Sequence, residues 1–247
     1  MALQVWILGV GMGPQHVTAE AAEVLRSVDY VLAAAKGSED GLLALRRAIV
    51  DAYAPAVPVV TVADPHRDRS PELTGPGYTR AVADWHAARA ARYAEVLRAH
   101  GGTAAFLVWG DPSLYDSTIR IVERMKTLGV ELEYQVLPGI SAPQLLAARH
   151  RMVLHEVGRP VHITTGRRLW EAVGAGQDNI VAMLNPDGLD LSALADWTIW
   201  WGANLGAAGE RLVHGRVGDV AGQLVDARRA ARAEAGWVMD IFLVRRP

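Results

Sequence analysis

The sequence predicts an α/β protein of two domains, the first built on a mainly parallel sheet and the second on a mixed sheet. Three features carry that expectation. From Gln4 to Val62, short apolar runs of strand character alternate with segments of helical period, the pattern of a parallel sheet. A central stretch from Thr103 to Val122 reads as strand, glycine loop and helix; open α/β sheets bind their ligands at such turns, outside the carboxyl ends of the strands. Beyond Pro138-Gly139, short turns between strands replace the alternation and predict hairpins. The boundary is set at that turn, giving domains 1–138 and 139–247.

Taken in order, Gln4–Leu8 is the first strand and runs into Gly9-Val-Gly-Met-Gly-Pro14. Thr18 is placed to cap a helix whose inner face is Ala21, Leu25 and Val28, and Glu20 suits its positive end. Strands follow at Tyr30–Ala35 and Val57–Val62, with a helix at Leu42–Val50 between them. The regularity lapses in the polar, Pro- and Gly-rich stretch Asp64–Gly77, of a length that compact domains use for function or leave disordered. A helix spans Tyr78–His100, with Val82, Trp85, Ala88 and Tyr93 towards one side.

The central strand is Ala104–Trp109, broken by Gly110-Asp111-Pro112. Ser117 or Thr118 then caps a helix with Ile119, Val122 and Met125 at helical spacing. Val130–Leu137 is a strand. Ser141 before Pro143 reads as an N-cap with an early-turn proline, opening a helix at Gln144–His150. In the second domain strands are expected at Val161–Thr165, Ile180–Leu184, Trp197–Trp201, Glu210–Val217 and Trp237–Val244, with a helix at Asp219–Ala233.

Composition narrows the function classes. The 247 residues are 51% hydrophobic, enough for a substantial core. A net charge of −2 argues against nucleic acid, whose binding depends on neutralising many phosphates. There is no cysteine, so disulfides, thiolate metal sites and a cysteine nucleophile are excluded. Apolar runs are too short to cross a bilayer. Met1–Gly13 lacks a basic leader and reads as a strand rather than a signal peptide, so a cytoplasmic protein without a membrane partner is expected.

Gly9-Val-Gly-Met-Gly-Pro14 invites a dinucleotide-binding reading, but the glycines fall at every second position and Pro14 stands where the last fingerprint glycine belongs. Asp29, at a suitable distance, starts the second strand, whereas a ribose-binding carboxylate belongs at its end. A tight turn needed only for packing is the plainer alternative.

Three stretches in order, Val10-Gly-Met-Gly-Pro-Gln-His-Val-Thr18, Val108-Trp-Gly-Asp-Pro-Ser-Leu-Tyr115 and Val136-Leu-Pro-Gly-Ile-Ser-Ala142, resemble the signature loops of the tetrapyrrole methylase family. Trp201-Gly-Ala-Asn-Leu-Gly206 with Glu210 resembles the family's C-terminal segment. The resemblance implies two α/β domains with a trough between them, a homodimer, and S-adenosylmethionine as methyl donor. Position by position, the donor site would include Pro14, Gly110, Asp111, Ser141 and Ala142, with Leu184 and Ala203 from the second domain. The family often has Met where Leu184 stands, and Met183 is one step away, on the other face of a strand.

Within the family, Asp64-Pro-His-Arg-Asp-Arg69, the helix carrying Tyr78, Trp85 and His86, Gly110–Thr118 and Trp237–Phe242 resemble the branch acting on precorrin-5. That branch methylates ring carbon 1 and releases the extruded acetyl group as acetate. Another precorrin C-methylation, a branch acting on RNA or protein, and a non-catalytic tetrapyrrole carrier are the competing readings.

Methyl transfer to carbon is an in-line displacement, in which orientation accounts for roughly 7–11 kcal/mol of barrier. Small residues at the loops suit it, and neither a Ser-His-Asp set nor a metal site is expected; His150 and His155 do not face each other on a helix. Acetate release needs an activated water and a stabilised oxyanion. Asp111, Tyr115, Asp116 and His66 are the candidates, and the sequence does not choose among them. For Asp111 the bland alternative is a carboxylate capping nearby loop amides, for Tyr115 core packing, and for His66 a solvated loop.

Precorrins carry many carboxylates, which suit arginine clamps. Arg67, Arg69, Arg149 and Arg151 are the first candidates, with Arg80, Arg159, Arg167 and Arg168 behind them. Trp197, Trp200 and Trp201 are read as packing residues.

Overall fold

The computed structural model describes residues 3–35, 41–66, 68 and 75–247. The chain forms two compact units, Met1–Ile140 and Ser141–Pro247.

The first unit holds strands β1 (Leu3–Gly9), β2 (Tyr30–Ala35), β3 (Val59–Ala63), β4 (Thr103–Val108) and β5 (Leu132–Leu137). They form one parallel sheet in the order β3-β2-β4-β1-β5. The connection from β1 leads to one side, to β2, while that from β4 leads to the other, to β5. The neighbours β1 and β4 therefore flank the topological switch point, where such sheets bind ligands.

Helices cover both faces. Helix α1 (Ala19–Ser27) and α2 (Gly41–Tyr53) pack Leu25, Ile49 and Val50 on Leu8, Val10, Val31, Ala105 and Leu107. On the other face α3 (Gly75–His100) and α4 (Thr118–Thr127) pack Tyr93, Leu97, Val122 and Met125 on Val5, Ile7, Leu32, Phe106 and Val108. Thr18 caps α1 as expected, its Oγ1 accepting from Ala21 N at 3.1 Å.

Several details differ from the sequence reading. Ser117 holds the N-cap position of α4 in helical backbone and its side chain does not cap. Asp116 Oδ1 does so instead, accepting from Thr118 N at 2.7 Å. The apolar face of α3 is Ala90, Tyr93, Ala94 and Leu97 rather than one running from Val82, because Trp85 is drawn to the exit of β3. Asp29 Oδ2 accepts from Thr103 N at 2.7 Å, which uses the carboxylate at the edge of the sheet opposite the glycine loops.

The second unit begins with α5 (Ala142–His150), where Gln144 Oε1 accepts from both Ser141 N, at 2.8 Å, and Ser141 Oγ, at 2.9 Å. Strands β6 (His162–Thr165), β7 (Asn179–Met183), β8 (Thr198–Ala203), β9 (Arg211–Arg216) and β10 (Asp240–Arg245) form a mixed sheet ordered β6-β7-β10-β8-β9. Only β6 and β7 are parallel neighbours. Helices α6 (Leu169–Gly174) and α7 (Val217–Ala235) close one face over Ile180, Ile199, Trp201, Phe242 and Val244. Trp197 and Trp201 are core residues, and Trp200 stacks on His214 with the Arg245 guanidinium over it.

Candidate active site

At the carboxyl edge of the first sheet the loops after β1, β4 and β5 meet backbone to backbone. Gly110 N donates to Gly11 O at 2.8 Å and Gly11 N to Gly110 O at 3.2 Å. A Cβ on Gly139 would lie 2.3 Å from Gly110 O, and one on Gly9 would lie 2.4 Å from Gly139 N. Gly9 and Gly139 are therefore glycines because three chain reversals touch there. Gly11 and Gly110 also have positive φ, 64° and 77°, which glycine adopts without strain.

Asp111 ties this junction together. Oδ2 accepts from Gly139 N at 2.9 Å, and Oδ1 accepts from Ser113 N at 2.8 Å and from Ser113 Oγ at 2.5 Å. Burial raises its pKa, but the bonds from Ser113 Oγ, Gly139 N and Ser113 N outweigh that and hold it below the ordinary carboxylate value. The carboxylate is thus a loop clamp and stays ionised.

Two side chains that the sequence reading missed brace the same loops. Arg46 Nε donates to Leu107 O at 2.8 Å. The β2–β4 ladder stops at Val31↔Ala105, so Arg46 takes the place of a strand donor just before the Gly110 turn. Tyr53 Oη donates to Pro14 O at 2.7 Å and fixes the other loop. Both reach across more than thirty residues of sequence, and no local pattern signals them.

Tyr115 follows on the β4 loop at φ 53°, is 43% exposed, and is therefore not a core residue. His66 lies on the exit of β3, at the same carboxyl edge, and is exposed. Arg67 and Arg69 lie outside the described residues.

In the second unit, Leu184 follows β7 and Ala203 ends β8. These strands run parallel to each other on either side of β10, so both positions stand at one edge of the sheet. Leu184 is 58% exposed at φ 51°, an unfavoured backbone for leucine, while the Ala203 side chain belongs to the core. Asn204, next in sequence, is buried at φ 49°; its Oδ1 accepts from Met239 N and its Nδ2 donates to Trp237 O.

Arg149 donates from Nε to Glu210 Oε1 at 2.8 Å, while Glu210 Oε2 accepts from Gly206 N at 2.6 Å. Its charge is thus already balanced. Arg151 ends α5 in left-handed backbone at φ 53°. Arg159 pairs with Asp178 and Arg168 with Glu171. Among the described residues, no group of three or more His, Asp or Glu side chains could hold a metal ion, and no helix is long and apolar enough to cross a membrane.

A parallel sheet whose switch point carries three interlocked glycine loops, followed by a mixed-sheet unit, defines the class. The family model for tetrapyrrole (corrin/porphyrin) methylases matches residues 4–221, and the chain belongs to that family of methyltransferases. It is 42% identical over 250 residues to a precorrin-6A synthase [deacetylating] from Sinorhizobium sp., covering 98% of this chain and 95% of that one. Among solved structures, a cobalamin synthesis related protein (CobF) from Corynebacterium diphtheriae superposes with a TM-score of 0.83 at 36% identity, over 99% of both chains. A cobalt precorrin-4 methyltransferase, CbiF, shares the fold at TM-score 0.68 and 17% identity, over 98% of this chain and 94% of that one.

Proposed function

We propose that this enzyme transfers a methyl group from S-adenosylmethionine to ring carbon 1 of precorrin-5 and releases the extruded acetyl group as acetate, giving precorrin-6A in aerobic cobalamin synthesis. The observation that carries the reading is the likeness to the Sinorhizobium enzyme along almost the whole of both chains. Cytoplasmic location and a homodimeric state belong to the same proposal.

The first unit's loops suit the donor chemically. Gly9–Pro14, Trp109–Tyr115 and Pro138–Ile140 carry no lysine or arginine and one ionised carboxylate, Asp111, a setting that favours a sulfonium cation. When bound, S-adenosylmethionine supplies an electrophilic methyl carbon. Pro14, Gly110 and Asp111 from the first unit, with Ser141, Ala142, Leu184 and Ala203 from the second, are the residues proposed to hold it. Gly110 presents no side chain, and its amide is taken by Gly11, so its contribution is room rather than a hydrogen bond. Asp111 acts by fixing the loops after β4 and β5 before the ligand arrives, which lowers the ordering cost of the reacting geometry. Tyr115, Asp116 and His66 remain the groups proposed to serve acetate release, and Arg67, Arg69 and Arg151 to meet substrate carboxylates.

Incubation with precorrin-5 and methyl-labelled S-adenosylmethionine tests the reading. Labelled precorrin-6A together with free acetate is expected. A methylated product without acetate would remove the deacetylation, and no methyl transfer would remove the activity altogether.

A further inference from the structure

A second polar cluster stands at the same sheet edge, on the exit of β3, and the three-loop junction makes no use of it. Asp64 directly follows β3, and its Oδ1 accepts from Arg89 Nε at 2.9 Å and from Arg89 Nη2 at 2.8 Å. Both side chains are nearly enclosed, 7% exposed for Asp64 and 14% for Arg89. The Trp85 ring lies against that guanidinium, with Arg89 Cζ 4.1 Å from its centroid, and Trp85 Nε1 donates to Pro65 O at 3.2 Å. Arg92 Nη1 donates to Ala63 O at 2.7 Å, and Asp64 N donates to Ala35 O at 2.9 Å. Three consecutive residues, Ala63 to Pro65, are therefore pinned, and the next is the exposed His66.

An enclosed ion pair is a poor way to gain stability, since apolar residues of like volume serve as well or better. It does fix direction: a planar guanidinium stacked on an indole and bonded to one carboxylate has one orientation. Order in the backbone of Ala63 to Pro65 fixes where the chain presents the exposed His66 at the sheet edge. Tyr93, one turn further along α3, packs against Phe106 of β4 with ring centroids 5.0 Å apart. Burial pushes its phenol up, Arg89 and Arg46 draw it down, and Asp64 and Asp116 raise it again.

We propose that Arg89, bedded on Trp85 and paired with Asp64, is a positioning residue that holds His66 as the base for acetate release. The inference rests on the reading under Proposed function and assigns its hydrolytic half to the exit of β3. In that step the water oxygen bonds to the acetyl carbonyl carbon, and the bond from that carbon to the macrocycle breaks with its electron pair kept by the macrocycle. One water proton passes to the His66 imidazole and the other leaves with acetic acid.

The test is a cycle of variants turned over with precorrin-5, with acetate release as the rate. Arg89→Met alone would leave Asp64 charged and unpaired, so the clamp is removed as Asp64→Asn/Arg89→Met. His66→Gln and the combination of all three substitutions complete the cycle. Clamp removal and His66→Gln are each expected to lower kcat for acetate at least ten-fold, with donor Kd by calorimetry and precorrin-5 KM within about two-fold of the parent. Because Arg89 acts through His66, the combination falls no further than the worse of the two. Parental kcat in the clamp variant or in His66→Gln, or a combined loss equal to the product of the two, overturns the proposal. Should the clamp variant fail to bind donor, Trp85→Phe takes its place in the same cycle, judged by the same outcomes. A parent that yields methylated product without acetate fails earlier, and the fault then lies in the functional reading.

Discussion

Asp111 Oδ2 accepts the amide hydrogen of Gly139 at 2.9 Å, joining the loop after β4 to the loop after β5 across 28 residues of sequence. The same carboxylate holds Ser113, so one ionised side chain fixes the shape of the β4 turn and its distance from the next.

Asp111→Ala is expected to weaken donor binding at least ten-fold and to cost about 1–3 kcal/mol of stability, because the loop amides lose their acceptor. The native pKa lies below the unfolded one, so the stabilisation is present above about pH 4 and is lost as pH falls through the native value. Urea titrations of the parent and of Asp111→Asn should therefore differ by a constant amount near neutrality and converge on acidification. A difference independent of pH down to pH 2 would contradict the assignment.

Gly139→Ala should destabilise by about 1–3 kcal/mol, since the added methyl meets carbonyl and backbone atoms that cannot swing aside. Gly101→Ala is the control: its φ is 68° but nothing lies within 4 Å, so only the backbone penalty of about 1–2 kcal/mol applies. Thermal unfolding measures both. Donor affinity separates them, falling in Gly139→Ala and unchanged in Gly101→Ala.

Leu184 holds a left-handed backbone while more than half exposed. Leu184→Gly should raise stability by about 1 kcal/mol through relief of that conformation, yet weaken donor binding if the side chain meets the ligand. Paired denaturation and calorimetry give both signs. A glycine variant with unchanged affinity removes Leu184 from the donor site.

His150 sits in the second unit with Nε2 directed at Trp201 O at 3.0 Å. Burial lowers its pKa, the bond to Trp201 O raises it, and the neighbouring His214 lowers it again, for a net depression. The native state thus binds fewer protons than the unfolded chain just below pH 6.5, so stability should fall as pH drops from 7 towards 5. His150→Gln should flatten that dependence. An NMR titration in which His150 protonates above the ordinary histidine value would reverse the sign.

Local pattern made most of the fold legible, because period and turn chemistry act over a few residues. Thr18 and Ser141 were readable as caps, and the alternation up to Val62 as a parallel sheet. Pairings at long separation were not readable. Arg46 at Leu107, Arg89 at Asp64 and Arg149 at Glu210 join residues 25 to 61 positions apart. For that reason Arg149 looked like a substrate clamp in the sequence, although its charge is balanced by Glu210. Asp111 stood out in the sequence as a candidate, but its work as a clamp on Gly139 appears only once β4 and β5 are placed on either side of β1.

The short β2–β4 ladder has a mechanical consequence. Two residue pairs, Tyr30↔Ala104 and Val31↔Ala105, join these strands, against six between β1 and β4 and five between β2 and β3. The first sheet is therefore two ribbons stitched by a short seam: β3-β2 carries the His66 segment, and β4-β1-β5 carries the glycine loops. A strain introduced into one ribbon has few hydrogen bonds through which to reach the other.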